Sequence, residues 1–289
     1  MSNEGTDASG PSFPLPPSLF LVPCLASRLR AELAVDRIRD RSVVTRARPA
    51  GPLRLLAPAG DGAAAWVYQS SLGGGFVGDD AIALDVEVGA GAALFLSSQS
   101  AGKVYRGARA SYRLDARVGA GGALVAWPDP TMCYAGAAVV QDQRFALAGD
   151  AALVAVDAWS AGRVARGERW AHDRLAARLA IDIDGARVLD DAVLLAATHG
   201  DIAARLAGVA ALATVVVVGT RLAAACDALA SRIATRPLAR PLVAASRWPW
   251  GLVVRAAAPS TAALTATLRE LLAPVTAVVL GRDPWARKW

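Results

Sequence analysis

The sequence predicts a mainly β fold: a β-helix-like body of stacked strand-turn-strand units, carrying a small α+β layer with two helices near the C-terminus. Three observations lead there. The segment LDVEVGAGAAL at Leu84 to Leu94 returns as LDARVGAGGAL at Leu114 to Leu124 and, shortened, as LAGDAAL at Leu147 to Leu153, a period of about 30 residues. Each full unit alternates apolar and polar residues, turns at Gly-Ala-Gly and continues as a second apolar run, which is the pattern of two strands joined by a tight turn. Between these units recur four patches of Gly, Pro and small polar residues: SLGGGFVGDD (Ser71 to Asp80), SSQSAGKVYR (Ser97 to Arg106), WPDPTMCYAGA (Trp127 to Ala137) and DAWSAGRVARGERW (Asp157 to Trp170). One unit alone cannot bury both faces of its strands, so successive units must stack or pair, giving a β-solenoid-like or sandwich-like body.

From the N-terminus onward, Met1 to Pro17 is rich in Pro, Ser and Gly and is expected to be a disordered start, with a single domain over 18–289. The apolar patch Leu19 to Val22 is shorter than a signal-peptide core, which points to a cytoplasmic protein. The β body is expected over about 18–200: after the repeats, LAARLAIDI (Leu175 to Ile183) alternates as a strand, Asp184-Gly185 turns, and Val188 to Ala197 continues as strand. The α+β layer is expected over about 201–289. Its run Leu206 to Thr220 is uncharged, contains Gly208 and Gly219, and reads as a buried strand too short for a membrane helix. One helix places Leu222, Cys226, Leu229 and Ile233 on a single face, with Thr220 as its N-cap and Pro237 beyond its end. Gly251 to Arg255 reads as a strand. The second helix starts after Pro259-Ser260, aligns Leu264, Leu268, Leu271 and Leu272, and is expected to stop at Pro274.

Composition removes several functions. With 54% hydrophobic residues the 289-residue chain can fill a substantial core. The net charge of +6 comes almost wholly from arginines interleaved with acids, as in RAELAVDRIRDR (Arg30 to Arg41), so no basic stripe for nucleic acid emerges. Cys24, Cys133 and Cys226 are far apart and form neither a disulfide framework nor a zinc pattern. His172 and His199 belong to no metal or nucleophile motif, and no GK[ST] follows Gly73, Gly74 and Gly75. The carboxylates near the turns, Asp79, Asp80, Asp157 and Glu168, suit acid–base work or transient binding of a divalent cation through oxygen. A hydrolase would require Asp157 and Glu168 to face each other across a cleft at roughly 5 to 10 Å.

The four patches, in this order, resemble the urease accessory protein family UreD (also called UreH). The similarity runs from TRARPAGPLR (Thr45 to Arg54) to the ending GRDPWARKW, and rests on the Gly73-Gly74-Gly75 turn with Asp80, on Gln99 with Lys103-Val104-Tyr105, on Pro128 with Gly136-Ala137, and on Gly162-Arg163 with Gly167-Glu168. The resemblance implies a non-enzymatic cytoplasmic scaffold for nickel insertion, bound to the accessory protein UreF, through it to the GTPase UreG, and docked on apo-urease. It implies no permanent cofactor, with nickel as transient cargo in an internal tunnel, and no nucleic-acid or membrane partner. Asp80, Asp157 and Glu168 are the acids expected to guide nickel, because a carrier needs weak, exchangeable ligands rather than a closed Cys/His site. The same residues also suit structural roles, Asp80 as a turn cap and Glu168 paired with Arg163 or Arg166. The chain departs from the family pattern at Leu72 (usually Pro), Asp79 (usually Gly), Gly102 (usually Thr) and Val125 (commonly acidic). The competing reading is a β-rich protein-binding module unrelated to urease.

Overall fold

Strand formation follows the apolar pattern: alternating segments such as Ala81–Val88 have one apolar face, near-continuous ones such as Ala211–Val218 have two, and the Gly-rich corners set where the arches turn. The computed structural model describes residues 30–59, 62–239 and 241–287, so the expected disordered start, Met1 to Pro17, and Cys24 lie outside the described residues. In chain order the strands are β1 (Arg30–Ile38), β2 (Arg41–Arg48), β3 (Leu53–Leu56), β4 (Ala65–Ser71), β5 (Ala81–Val88), β6 (Ala93–Ser98), β7 (Lys103–Val104), β8 (Ala110–Val118), β9 (Ala123–Ala126), β10 (Thr131–Cys133), β11 (Ala138–Leu147), β12 (Ala152–Ser160), β13 (Arg174–Ile183) and β14 (Ala186–Ala196). There follow the one-turn helix α1 (Ile202–Arg205), β15 (Ala211–Val218), α2 (Ala223–Ala234), β16 (Leu242–Trp248), β17 (Gly251–Ala258) and α3 (Thr261–Leu280).

The repeat is an arch rather than a paired hairpin. β5 and β6 belong to different sheets, and the Gly89-to-Ala92 corner carries the chain from one to the other. The equivalent corner of the next unit stacks on it, with the Gly91 N–H donating to the Ala120 carbonyl at 2.8 Å. Both Gly91 and Gly121 sit at positive φ, 66° and 63°, where a side chain would be strained. Successive units then pair in parallel. Leu84 lies beside Leu114 and Leu94 beside Leu124, so the sequence period is itself the hydrogen-bond register.

Two sheets result, ordered β14-β13-β11-β8-β5-β1-β2 and β16-β17-β15-β12-β9-β6-β4-β3, with β7 and β10 attached to the second. Leu33, Leu84, Leu94, Leu96, Leu124, Phe145, Leu153 and Ile181 fill the space between them. The outer face of the second sheet is covered by α2 and α3. Their residues Cys226, Leu229, Ile233, Leu264, Leu268, Leu271 and Leu272, with Leu222 just before α2, pack on Val125, Val154, Val156, Val215, Val217 and Val254. The outer face of the first sheet carries ion pairs instead, including Arg30 with Asp85 and Asp115, Arg113 with Asp115, and Arg178 with Asp190. Each such pair contributes at most about 1 kcal/mol, and among the described residues no element covers this face.

The C-terminal part differs from expectation in four details. Its strands β15, β17 and β16 are continuous with the second sheet, β15 running antiparallel to β12. β16 pairs with β17 and had no counterpart in the sequence reading, because its apolar residues are interrupted by exposed Ser246 and Arg247. Thr220 does not cap α2: it opens a 3-10 turn, Thr220–Leu222, that feeds directly into the helix. Pro274 does not end α3. The helix begins at the Ser260 N-cap, whose side chain accepts from the Ala263 N–H, passes through Pro274, and stops at Gly281 in the left-handed region. Thr261–Leu280 is also long and apolar enough to cross a bilayer by length and composition; here its apolar face lies on the sheet. Arg269 and Glu270 interrupt the uncharged run, which hid that length in the sequence.

Pro274 is tolerated because of α2. Proline removes the N–H that would bond to the Glu270 carbonyl. Arg232 supplies the missing donor, bonding that carbonyl at 3.0 Å and the Glu270 carboxylate at 2.7 Å, and Arg236 adds a bond to the same carboxylate at 3.0 Å. Arg232→Ala is therefore expected to lower stability by about 1 kcal/mol, and by clearly less in a Pro274→Ala background, where the backbone N–H returns. A double-mutant cycle by denaturant unfolding measures this coupling; strictly additive effects would refute it.

Candidate functional site

Because every arch turns at Gly-rich corners on one side, the four longer patches all emerge on the other, where each is zipped to the next. In the first, a 3-10 turn spans Leu72–Gly74, with Gly73 and Gly74 at φ 81° and 74°. The Phe76 N–H then donates to the Lys103 carbonyl (2.7 Å) and the Tyr105 N–H to the Phe76 carbonyl (2.9 Å). Gly75 is required by this crossing: a Cβ there would lie 2.5 Å from the Lys103 oxygen and 2.8 Å from the Tyr105 ring. The second patch joins the third through Met132 N–H to the Gly102 carbonyl (2.8 Å) and Tyr134 N–H to the Val104 carbonyl (3.0 Å). The third joins the fourth through Gly136 N–H to the Ala171 carbonyl (2.9 Å) and Ala135 N–H to the Glu168 carboxylate (3.2 Å).

Side chains finish the cluster. The Tyr105 and Tyr134 rings meet edge to face at 5.2 Å, and the Arg163 guanidinium sits 4.3 Å over Tyr134. Arg163 also binds Glu168 through two hydrogen bonds, which holds the Glu168 carboxyl below the usual carboxylate range. Gly162, at φ 106°, lets the chain pass the Cys133 carbonyl, and Gly167 closes the Val164–Arg166 turn in the left-handed region. Gln99 accepts from the Ser70 hydroxyl at 2.6 Å. Asp80 accepts from the Val77 N–H at 2.8 Å, closing its own turn. Asp79, where glycine is usual in the family, has φ 66°, a conformation that glycine adopts without strain.

Behind this loop cluster several polar side chains stand among the apolar ones between the sheets. A small cavity of about 120 Å³ opens among the patches and is walled by Gln69, Ser98, Tyr112, Pro128, Asp129, Gln141 and Gln143. A larger groove of about 970 Å³ lies further along, starting at Asp157, Trp159, Thr214 and Arg255 and running round the β16 edge to Leu238 beyond α2. Three links cross from sheet to sheet: Tyr112 hydroxyl to Gln69 (2.7 Å), Gln141 amide to Asp157 (2.7 Å), and Arg255 to Asp191. Register sets the rows, since Gln141 neighbours Tyr112 on one sheet and Asp157, Thr214 and Arg255 are neighbours on the other. Burial pushes the Asp157 carboxyl up to about 6, and Asp191 adds to the rise against the Gln141 hydrogen bond and the Arg255 charge.

Of the three acids expected to guide nickel, Asp157 reaches the interior, whereas Asp80 and Glu168 are held in the loop cluster by Val77 and Arg163. Among the described residues no three His, Cys, Asp or Glu side chains gather as a metal cluster. Burial pushes the Cys133 thiol up to about 12, so it stays protonated and is a poor ligand. The hydrolase geometry does not form, because Glu168 is engaged by Arg163 and lines neither cavity. Val125 is fully buried against the helices, facing away from the inter-sheet space, so the acid missing there would not have lined these cavities. Sequence reading missed Gln69, Tyr112, Gln141, Thr214, Asp191 and Arg255. The available signal was phase: Gln141 and Gln143 occupy the same inward positions of β11 as Val139, Phe145 and Leu147.

The fold and the site define a class: a two-sheet arch fold with a helical cover, whose distinctive residues build interlocked loops and a set of polar links between the sheets. The chain belongs to the UreD urease accessory protein family, whose sequence model matches residues 27–289. It is 48% identical over 264 residues to the urease accessory protein UreD of Sorangium cellulosum, covering 89% of this chain and 83% of that one. Against the urease accessory protein UreD of Anaeromyxobacter sp. the identity is 46% over 259 residues, covering 88% and 87%. The urease accessory protein D of Arabidopsis thaliana is 33% identical over 201 residues, covering 66% and 68%. The reading as a β-rich module outside this family is thereby set aside.

Two outcomes follow. Gly75→Ala should displace the Phe76–Lys103 crossing and lower the melting temperature by several degrees, an effect that thermal unfolding reads directly. Asp157 has a folded-state pKa above its unfolded value, so the folded chain binds the extra proton and stability falls as pH rises from about 4 through 6. Asp157→Asn should flatten that part of the pH–stability curve and stabilise the chain at neutral pH; an unchanged curve would contradict the buried, protonating carboxyl.

Proposed function

We propose that this chain is a cytoplasmic scaffold for urease maturation, which binds a UreF-type accessory protein, through it a UreG-type GTPase, and apo-urease, and passes nickel toward the urease site through the space between its two sheets. The observation that carries the reading is the polar row between the sheets, which links the loop-end cavity to the larger groove at Gln141 and Asp157. A path of amide, hydroxyl and carboxylate oxygens fits transit, because such ligands exchange quickly and form no deep thiolate or imidazole well. The interlocked loops supply a rigid mouth for docking, with Tyr105, Tyr134 and Arg163 in a packed stack. The family relationship supports the maturation role, since the relatives are named urease accessory proteins.

The test is co-expression of this chain with urease subunits and the UreF- and UreG-type proteins of the same source. Urease activity, nickel content and a co-purifying complex should all depend on the chain. Full activation and full nickel content in its absence would overturn the proposal.

A further inference from the structure

The loop-end cavity and the groove share one partition. Gln141 walls the first and Asp157 the second, and the Gln141 amide nitrogen donates to the Asp157 carboxylate across the gap between the sheets at 2.7 Å. On either side the neighbouring links are Tyr112 to Gln69 and Arg255 to Asp191, the latter also tied to Thr214 at 2.6 Å. Gln143, buried on the same inward face as Gln141, adds a further amide to the loop-end side. Resting on the conduit reading above, we propose that the Gln141–Asp157 hydrogen bond is a gate: it closes the passage at rest, and a divalent cation opens it by taking the Asp157 oxygen that the amide holds while Gln141 turns its own oxygen to the ion.

The chemistry suits such an exchange. A terminal amide presents two donors on one side and an acceptor on the other, and the torsion that swaps them is soft. Turning Gln141 thus converts a hydrogen-bond donor into an oxygen ligand without moving the backbone. The cation meets one carboxylate and one neutral amide, enough to replace part of a hydration shell and too few to hold the ion permanently. Anions and neutral solutes gain nothing by displacing the amide, so the gate favours cations.

The charged groups facing Asp157 are Asp191 of β14 and Arg255 of β17, which are paired with one another; Gln141 of β11, Thr214 of β15 and Trp159 of β12 are neutral neighbours.

The experiment uses the full chain in its complex with urease and the accessory proteins, and measures the rate at which nickel is delivered to urease, with pull-down as the check on assembly. Asp157→Asn, which keeps shape and hydrogen bonding, should deliver nickel about tenfold more slowly. Gln141→Leu, which fills the same space without an oxygen, should also be slowed, with assembly retained. Ala126→Phe serves as the separating control, because Ala126 walls the loop-end cavity and a ring there blocks the passage at a different point. Loss of delivery in Ala126→Phe with normal delivery in Asp157→Asn and Gln141→Leu would overturn the gate and keep the conduit. Normal delivery in all three would overturn the conduit, and the gate with it. A readout that needs no variant is anomalous scattering from crystals soaked in nickel at about pH 8: a peak beside the Asp157 carboxylate is expected, and nickel bound only elsewhere would overturn the gate.

Discussion

Everything in this structure depends on the parallel, in-register stacking of arches. A hydrogen-bonded ladder fixes each strand against the one about 30 residues earlier, so a residue's row is set by its place in the repeat. Leucine falls on leucine through the interior, and Gly-rich corner falls on Gly-rich corner at the rim. A slip of one residue would turn every inward leucine outward, and the loss of buried apolar area in each row makes such slips costly. The same stacking brings the four longer loops to one side. Their mutual hydrogen bonds are a consequence of the coil, and the coil's edge is in turn sealed by them.

The interior shows what happens when a polar residue takes an inward position in such a stack. Its access to water is reduced, and its neighbours in the row are fixed by the ladder, so the partner it meets comes from the opposite sheet. Tyr112, Gln141 and Asp191 on one sheet find Gln69, Asp157 and Arg255 on the other. Burying Asp157 raises its proton affinity, a cost that an apolar residue there would avoid. A mid-sheet polar row is thus a departure from the packing rule that the rest of the core obeys, and such departures concentrate where a protein has work to do.

The two outer faces solve solvent exposure differently. The second sheet is covered by α2 and α3, and the cover is itself held together by Arg232 reaching the Glu270 carbonyl that Pro274 leaves without a donor. Among the described residues the first sheet has no helix on it and presents paired arginines and aspartates, within one strand for Arg113 and Asp115, between neighbouring strands for Arg178 and Asp190, and across an intervening strand for Arg30 and Asp115. This accounts for the arginine-rich composition without any basic stripe: much of the positive charge is balanced on one face.

The sequence by itself determined the repeat, and with it the strand period, the corner positions, the register and the presence of two C-terminal helices, because these are local patterns written in adjacent residues. The left-handed position of Asp79 was legible only as a departure from a family glycine. What the tertiary structure alone decided is which residues meet across the sheets. Gln141 and Asp157 are close in the chain yet lie on different sheets, and Arg255 and Asp191 are brought together by an antiparallel strand added after the repeat ends. The continuation of α3 past Pro274 was decided the same way, by an arginine on another helix. Periodicity sets the direction a side chain faces, whereas its partner depends on how far apart the sheets lie and which strand comes to rest opposite, and neither is encoded in any single stretch of the chain.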